Sequence, residues 1–304
     1  MNGLRVERGL RGRLLHDEPL SRHTSWRVGG PADRYYEPAD LEDLALFLRG
    51  LPPEEPLLWL GLGSNLLVRD GGVRGTVIAT AGVLGGMRIL ADGTVEAGCG
   101  LACAQLARRC AREGRGGLEF MAGIPGTVGG ALRLNAGAHG GETWQRVIEV
   151  ELIDRSGERQ RRPGTSFEVG YREVALPQGQ WFVTAWLRTD PRPREEGEAM
   201  IRELLARRGS SQPMGRPSCG SVFRNPPGDH AARLIESCGL KGLRRGGAEV
   251  STRHANFIIN RGDATAADIE ALIHEVRRRV REGTGIELVP EVHIVGEAGP
   301  EVAS

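Results

Sequence analysis

The sequence predicts an α+β protein made of two small α/β units and a third, C-terminal α+β domain. Three observations support this prediction. Short apolar runs alternate with single helices over residues 24–192, a stretch rich in proline and arginine interrupts this pattern at 190–194, and amphipathic helices follow it. A chain of 304 residues can hold two or three such domains, each with its own core. We therefore expect domains at 1–85, 86–192 and 193–304.

The first unit should contain one helix and one buried strand ahead of a glycine-rich turn. Leu41–Leu48 has an N-cap in Asp40 and a helix stop in Gly50 just past its end. Leu57–Leu60 has the composition of a buried strand. It runs directly into the sequence GLGSN, residues 61–65.

The second unit and the C-terminal domain follow the same kind of pattern. Further strands are predicted at Met87–Leu90, Thr94–Ala97, Val147–Ile153, Trp181–Thr189, His254–Asn260 and Ile286–Val295. Further helices are predicted at Ala102–Glu113, Glu195–Arg208, Ala231–Cys238 with Asp229 as its cap, and Ala266–Arg281. In the last helix the apolar residues at helical spacing predict a core face, formed by Ile269, Leu272, Ile273, Val276 and Val280.

The stretch from Gly117 to Gly141 is the most informative part of the chain. Eight of its twenty-five residues are glycine, and Glu119 is its only acidic residue. Glycine lets a ligand lie directly against peptide N–H groups, although such clusters also occur in ordinary turns. Together with GLGSN, this stretch favours a long ligand that carries phosphate groups.

Composition excludes several other kinds of protein. The net charge of +1 argues against a surface that binds nucleic acid or membrane. Lys241 is the only lysine and does not follow a glycine, so a P-loop is excluded; Leu66 stands where a Rossmann fingerprint needs its third glycine. No metal-binding His-Glu-x-x-His or Gly-x-Ser-x-Gly motif is present, and we expect no metal.

The cysteines and the N-terminus indicate a cytoplasmic protein. The five cysteines contain no Cys-x-x-Cys pair, so we expect them to be reduced and mostly packed. The first twenty residues are charged throughout and lack the apolar core of a signal peptide. No run is long enough for a membrane span.

Three polar clusters in the second half are candidates for chemistry: Gly170-Tyr171-Arg172, the run 218–226, and Pro290-Glu291-Val292. Ser221 projects from a constrained backbone, but a serine in such a turn often serves only as a turn residue. Glu291 interrupts an apolar run and needs a partner or a ligand, unless it lies at an exposed edge.

Six ordered motifs resemble one family. The sequences GLGSNLLV, GIPGTVGGA with NAGA, GYR, GSVFRNP, HANFIIN and PEV are similar to those of the UDP-N-acetylenolpyruvoylglucosamine reductases, from about Thr24 to Val295. The resemblance implies an FAD-binding region of the vanillyl-alcohol-oxidase type (PCMH type), built of two α/β subdomains, and a substrate-binding domain. It implies non-covalent FAD held by Gly61, Gly63, Ser64, Asn65, Leu66, Gly123, Ile124, Pro125, Gly126, Thr127, Gly129, Gly130, Asn135, Gly137 and Ala138.

The resemblance also implies a reaction, in which NADPH reduces the flavin and leaves. UDP-N-acetylglucosamine enolpyruvate then takes its place, accepts hydride at C3 from flavin N5, and becomes UDP-N-acetylmuramate for peptidoglycan. Arg172 and Glu291 match the residues that stabilise the enolic intermediate, and Ser221 matches the proton donor to C2. Tyr171, Arg224, Asn225 and His254 match positions that contact the sugar nucleotide.

Two residues depart from the family pattern. Arg224 stands where many relatives have lysine, and Cys219 stands where a small residue such as alanine is common. The spacing from Arg172 to Ser221 favours the subgroup that lacks an extra substrate-capping loop. No obligate protein partner is indicated.

Two alternatives stay open at this point. One is an FAD-dependent alcohol or sugar oxidase of the same superfamily, in which the flavin is often tethered to histidine or cysteine. The other is a non-catalytic nucleotide-binding protein that keeps the glycine-rich loops. Arginine content could also suggest RNA binding, but the net charge and the fourteen aromatic residues do not support it.

Overall fold

A computed structural model describes residues 9–213 and 215–299. Six α-helices occur in these ranges: α1 (Leu41–Gly50), α2 (Cys103–Arg112), α3 (Val128–Arg133), α4 (Arg194–Ser211), α5 (Ala231–Ser237) and α6 (Ala266–Thr284). Short 3-10 helices lie at Leu20–Arg22, Glu119–Gly123, Thr143–Gln145 and Gly164–Ser166. Within the described ranges, no helix combines the length and the apolar character needed to cross a membrane.

The strands are short and form several sheets. In chain order they are β1 (Arg13–Pro19), β2 (Pro31–Glu37), β3 (Leu57–Leu60), β4 (Leu66–Val68), β5 (Val73–Ala79), β6 (Met87–Ile89), β7 (Val95–Gly98), β8 (Arg115–Gly116), β9 (Gly137–Ala138), β10 (Gly141–Glu142), β11 (Val147–Asp154), β12 (Arg159–Pro163), β13 (Val169–Gly170), β14 (Glu173–Val174), β15 (Gln180–Leu187), β16 (Asp190–Pro191), β17 (Arg244–Arg245), β18 (Ala248–Val250), β19 (Ile258–Asn260) and β20 (His293–Val295). β1, β2, β5 and β3 form a four-stranded sheet in that order.

The chain divides into two compact units. Among the described residues, the first unit comprises 9–15, 35–62 and 77–207, and the second comprises 16–34, 63–76, 208–213 and 215–299. The division therefore falls within β1, β2, β5 and α4. The three domains expected from the sequence, with boundaries near residues 85 and 192, stay a prediction.

The first unit is organised around a five-stranded antiparallel sheet, in the order β12-β11-β15-β7-β6. One core lies between this sheet and α2 and α3, and Leu106, Met121 and Leu132 are fully buried in it. A second core packs the apolar face of α1, with Tyr36 stacked on Phe47 at 3.8 Å between ring centroids. These two cores fix the positions of the loops at either end of β7 and α3.

The second unit has a three-stranded antiparallel sheet, β17-β18-β19, and the parallel pair β4 and β20. Its core is built on the apolar stripe of α6, whose five predicted core residues are all buried. Trp26 joins this core, and its Nε1 donates to the carbonyl oxygen of Ile258 at 2.7 Å. The pairing of β4 with β20 brings together residues that are far apart in the sequence.

Several predicted elements are confirmed, with ends that differ by one to three residues. Asp40 caps α1 as expected, because its carboxylate accepts from Asp43 N, but Gly50 is the last helical residue rather than the first beyond it. The β3 strand is only partly buried, since Leu60 alone is inaccessible. The cysteines are free thiols, four of them buried and Cys238 half-buried.

Three predicted elements of the C-terminal part are wrong in extent or cap. The strand expected at His254–Asn260 exists only as Ile258–Asn260, and the one expected at Ile286–Val295 only as His293–Val295. Backbone hydrogen bonds hold the missing residues instead, such as Ser251 N to Phe257 O at 2.8 Å and Glu291 N to Val222 O at 2.7 Å, but they do not extend into a continuous strand ladder. Asp229 is not the N-cap of α5; His230 occupies that position.

Candidate active site

The predicted site residues lie in both units. The glycine-rich loop 123–130, residues 135–138, Tyr171 and Arg172 belong to the first unit. The loop 63–66 and the residues Ser221, Arg224, Asn225, His254 and Glu291 belong to the second.

The turn Gly61–Asn65 exposes a row of backbone donors. Glycine is required at two of its positions: a Cβ at Gly61 would lie 2.5 Å from Thr127 Oγ1, and Gly63 has a φ of +58° with a Cβ position 2.2 Å from the carbonyl oxygen of His23. None of the five backbone N–H groups in 61–65 donates to an acceptor in the described residues. Such a run of free amides fits an anionic group such as a diphosphate.

The second glycine-rich loop leads into the short helix α3 and offers fewer free amides than its sequence suggests. Thr127 caps the helix, with Oγ1 accepting from Gly130 N at 3.4 Å. The amides of Val128 and Gly129 donate to backbone carbonyls at 2.8 Å each. Gly126 N and Thr127 N donate to no acceptor in the described part of the chain, so these two amides can face a ligand.

Asn135, predicted as a cofactor contact, ties two loops together through its side chain. It is buried and has a φ of +40°. Its Nδ2 donates to Gly170 O at 3.1 Å and to Glu142 Oε2 at 3.0 Å, and its Oδ1 accepts from Trp144 N at 3.1 Å. Both amide hydrogens are therefore engaged within the protein.

Tyr171 and Arg172 form the two-residue tip of the hairpin between β13 and β14. Arg172 has a φ of +57°, a conformation that costs energy for a residue with a side chain and that is concentrated at functional sites. Its Nη2 donates to Gly137 O at 3.4 Å, and its guanidinium lies 5.5 Å from the centroid of the Tyr171 ring. A cation and an exposed aromatic ring are thus presented at one tip.

In the second unit, Ser221 and Glu291 are brought close along two paired segments. The backbone N–H of Glu291 donates to Val222 O at 2.7 Å, and Arg224 N donates to Val289 O at 2.9 Å. Ser221 therefore lies one residue from the hydrogen bond that Glu291 makes. This pairing, rather than a continuous strand, fixes both residues.

Asn65, from the GLGSN turn, forms hydrogen bonds with the segment that carries Glu291. Its Nδ2 donates to Glu291 O at 3.1 Å, and its carbonyl oxygen accepts from His293 N at 3.0 Å. The residue that was predicted to hold the cofactor thus also fixes the main chain of a predicted catalytic residue.

Asn256 was not among the predicted site residues, although it contacts the segment that carries Ser221. Its Oδ1 accepts from Phe223 N at 3.0 Å and its Nδ2 donates to Phe223 O at 2.8 Å. Its own carbonyl oxygen accepts from Val222 N at 2.9 Å. An asparagine inside the apolar run Ala-Asn-Phe-Ile-Ile was the signal in the sequence, because a buried amide needs partners.

His254 is held as a neutral ring. Its Nδ1 accepts from Asn256 N at 3.3 Å, so the proton resides on Nε2, and the ring packs edge-on against Phe257 at 4.8 Å. Burial, together with the positive charge of Lys241, lowers the pKa of His254 below its ordinary value. The ring therefore offers a neutral N–H donor near pH 7.

Arg224 and Asn225 differ in how their side chains are used. The Nε of Arg224 is buried and has no hydrogen-bond partner among the described residues, a situation that a bound anion would relieve. Asn225 is exposed, and its Oδ1 accepts from Ala231 N, the first amide of α5, at 3.1 Å. Asn225 therefore supplies the helix contact that had been expected of Asp229.

Cys219 is buried beside these residues. Burial, reinforced by the carboxylate of Glu291, raises the pKa of the Cys219 thiol strongly. The thiol is therefore protonated and inert, in agreement with the expectation that the cysteines are reduced and mostly packed.

A cavity of about 320 Å³ in the second unit does not contain the predicted site residues. Three arginines line it, Arg216, Arg253 and Arg261, but Glu249 pairs with Arg261 at 2.6 Å. Arg253 donates to backbone carbonyls. No group of three metal-ligating side chains occurs among the residues that the structure describes.

Comparison with protein families identifies two matching models. Residues 32–162 match the FAD binding domain, and residues 212–295 match the C-terminal domain of UDP-N-acetylenolpyruvoylglucosamine reductase. The first match contains both glycine-rich loops, and the second contains Ser221, His254 and Glu291.

Whole proteins are similar over nearly the full chain. The UDP-N-acetylenolpyruvoylglucosamine reductase of Alkalilimnicola ehrlichii is 61% identical over 287 residues, which cover 94% of this chain and 96% of that protein. That of Methylococcus capsulatus is 59% identical and covers 95% of each. The crystal structure of the Thermus caldophilus reductase matches with a TM-score of 0.81 and 36% identity over 94% of this chain and 99% of its own. In fold alone, 6-hydroxy-D-nicotine oxidase from Arthrobacter nicotinovorans is similar, with a TM-score of 0.55, 12% identity and coverage of 92% and 88%.

Proposed function

The chain belongs to the UDP-N-acetylenolpyruvoylglucosamine reductase family, and from this we propose that Ser221 donates the proton that completes the reaction while Arg172 and Glu291 stabilise the intermediate before it. The protein is an FAD-dependent oxidoreductase of the vanillyl-alcohol-oxidase fold. It reduces UDP-N-acetylglucosamine enolpyruvate to UDP-N-acetylmuramate with NADPH.

The backbone donors described above fit the cofactor. The free amides of Gly61–Asn65, with Gly126 N and Thr127 N, suit the diphosphate of FAD. Leu66, Gly123, Ile124, Pro125, Gly129, Gly130, Gly137 and Ala138 would complete its surroundings, and Asn135 would act by holding them in place. When bound, FAD supplies the chemistry of carrying a hydride equivalent from NADPH to C3 of the enolpyruvyl group.

Reduction at C3 leaves negative charge on the substrate's carboxylate, which the protein must stabilise. Arg172 carries a permanent positive charge on a hairpin tip whose backbone is fixed through Asn135. Glu291 performs the same task only if its carboxyl shares a proton with the enolic oxygen. In our proposal both residues act before the proton reaches C2.

Ser221 then delivers its hydroxyl proton to C2. A serine hydroxyl is a weak acid, so its position relative to a strongly basic carbon determines the rate. The single observation that carries this assignment is the hydrogen bond of 2.7 Å from Glu291 N to Val222 O, which fixes the residue next to Ser221 against the segment of Glu291.

The remaining predicted residues suit the sugar nucleotide. Arg224 can bind two oxygens of its diphosphate, and His254 can donate one hydrogen bond from Nε2. Tyr171 offers an exposed ring and Asn225 a partly used amide. Because the substrate and NADPH are cytosolic metabolites, we place the protein in the cytoplasm, where its product enters peptidoglycan precursor synthesis.

Anaerobic stopped-flow absorbance of the holoprotein tests this function. We expect NADPH to bleach the flavin band near about 450 nm, a property of the cofactor, and UDP-N-acetylglucosamine enolpyruvate to restore it. Restoration by oxygen alone, with no response to the enolpyruvyl substrate, would indicate an oxidase instead. A flavin that remains attached after acid precipitation would contradict non-covalent binding.

A further inference from the structure

We propose that Asn256 is a positioning residue for Ser221: its side chain fixes the backbone of Phe223 and thereby sets where the serine hydroxyl stands. This inference rests on the proposed role of Ser221 as proton donor. It adds a residue that acts through the main chain and does not itself touch the reacting atoms.

Asn256 binds both the N–H and the carbonyl group of Phe223. One amide group accepts from Phe223 N at 3.0 Å and donates to Phe223 O at 2.8 Å, in the manner of a strand neighbour. The carbonyl oxygen of Asn256 adds a third bond, from Val222 N at 2.9 Å. Three hydrogen bonds thus fix the two residues that follow Ser221.

The opposite side of the same segment is bound to the chain around Glu291. Glu291 N donates to Val222 O, and an isolated antiparallel bridge joins Phe223 to Pro290. The segment 222–223 therefore lies between Asn256 and residues 289–291 and has hydrogen bonds on both sides. Loss of the Asn256 side chain would free one side only, which changes position more than it changes fold.

Position is what this serine needs. The hydroxyl is a poor acid, and its contribution depends on its distance from C2 and its direction; a displacement of about 1 Å typically costs about a hundredfold in rate. Asn256 is 3% exposed, so its side chain is not available to solvent or to the sugar nucleotide. Its effect on the reaction must pass through the backbone.

The chain offers a matched control in Asn260. It is also buried in the second unit, and its Nδ2 donates to Trp26 O at 2.9 Å while its Oδ1 accepts from Gly262 N at 2.7 Å and Ala264 N at 3.1 Å. It makes the same kinds of hydrogen bond but none to residues 221–224. A purely structural role for both residues predicts the same behaviour for both variants.

Asn256→Asp provides a pH readout. Only a protonated carboxyl can both accept from Phe223 N and donate to Phe223 O, whereas the carboxylate meets Phe223 O with like charge. At pH 8 we expect flavin reoxidation by the enolpyruvyl substrate to fall roughly 10- to 100-fold, and bleaching by NADPH to stay within about twofold of wild type. Burial at this position raises the pKa of the introduced carboxyl above its ordinary value of about 3.9, so reoxidation should recover, relative to wild type, as the pH falls to about 6.

Each comparison is made with wild type at the same pH, since His254, Cys219 and Glu291 also lie around this segment. Asn260→Asp should show no selective effect on reoxidation and no such recovery. Asn256→Ser, which removes both side-chain bonds, should show the selective loss without recovery at low pH.

The outcomes separate this inference from the proposed function. A Ser221→Ala variant that reoxidises normally would remove the proposed role of Ser221. With Ser221→Ala defective, equal behaviour of the Asn256 and Asn260 variants would overturn the positioning role. Failure of both Asn256 variants to fold, while Asn260→Asp folds, would also overturn it, because Asn256 would then serve stability.

Discussion

Glu291 donates its backbone N–H to the carbonyl oxygen of Val222, with 2.7 Å between the two atoms. Because Asn65 also donates to Glu291 O, the main chain of Glu291 is held on both sides, by the segment of Ser221 and by the GLGSN turn. One hydrogen-bonded chain thus runs from a predicted flavin contact through Glu291 to the residue beside the proposed acid.

Gly130→Ala should weaken FAD binding without lowering the stability of the apoprotein. A Cβ at Gly130 would meet no atom closer than Thr127 Oγ1 at 3.8 Å, and alanine within α3 should stabilise the fold by up to about 1 kcal/mol. If FAD lies against this peptide, the methyl group should raise the Kd for FAD by about tenfold or more. Fluorescence titration of the apoprotein measures this. Gly209→Ala, at an equally open helical position in α4, is the control. Equal FAD affinity of both variants would contradict the binding of FAD against the peptide of Gly130.

Arg224→Ala should raise the KM for the sugar nucleotide. The buried Arg224 Nε would gain its missing acceptor from a phosphate oxygen, and a charged hydrogen bond is worth about 1.5–3 kcal/mol, or about 10- to 100-fold. Arg224→Lys should lose less, because it keeps the charge but not the fork. Steady-state kinetics give the KM. Arg233→Ala removes an exposed ion pair with Asp229 and should change the KM little; an unchanged KM in Arg224→Ala would exclude the phosphate contact.

His254 should remain neutral as the pH falls past its ordinary pKa of about 6.5. Burial lowers its pKa in the folded protein, so the unfolded chain takes up a proton first. The contribution of neutral His254 to the free energy of unfolding is therefore fully present above pH 6.5. It is lost as the pH falls through the lower pKa that His254 has in the folded protein. NMR titration of the His254 ring, with unfolding midpoints at pH 8 and 5.5, measures both effects. His254→Gln should lose the pH-dependent part; a ring that titrates at or above 6.5 would contradict the assignment.

Cys219 should resist alkylation in the folded protein. Burial raises the pKa of its thiol, and only the thiolate attacks iodoacetamide. Timed alkylation at pH 8 with peptide mapping should label the half-buried Cys238 first and leave Cys219 unmodified. Cys219→Ala should retain activity within about twofold and lose about 1 kcal/mol of unfolding free energy. Rapid labelling of Cys219 with loss of activity would instead identify an exposed, regulatory thiol.

Local signals in the sequence predicted much of the fold. Asp40 caps α1 because a carboxylate before an apolar run accepts an orphan amide, and Ile269, Leu272 and Val276 are buried because their spacing places them on one helix face. The two glycine-rich loops were found in the same way. The number of free amides in these loops was not predicted, because Val128 N and Gly129 N donate to carbonyl groups that are distant in the sequence.

What the sequence did not predict depends on hydrogen bonds whose partners no sequence pattern marks. The β-propensity around His254 suggested a strand, but Ser251 Oγ accepts from His254 N and the Asn256 side chain binds the backbone of Phe223 instead. Glu291 precedes a strand rather than interrupting one, because β20 begins only where it pairs with β4. Asn225, not Asp229, accepts from Ala231 N, the first amide of α5. In each of these contacts, no spacing pattern in the sequence identifies the two residues as partners.

The most direct test of the account is a single-turnover experiment with Ser221→Ala. The anaerobic variant is first bleached with one equivalent of NADPH and then mixed with UDP-N-acetylglucosamine enolpyruvate. The control is Ser237→Ala, which makes the same substitution at the last residue of α5. We predict normal bleaching and a recovery of flavin absorbance slowed by about 10²- to 10⁴-fold, the usual contribution of a positioned acid, because hydride transfer to C3 stays reversible until C2 is protonated. Recovery at the wild-type rate, with UDP-N-acetylmuramate formed, would contradict the assignment of Ser221 as the proton donor.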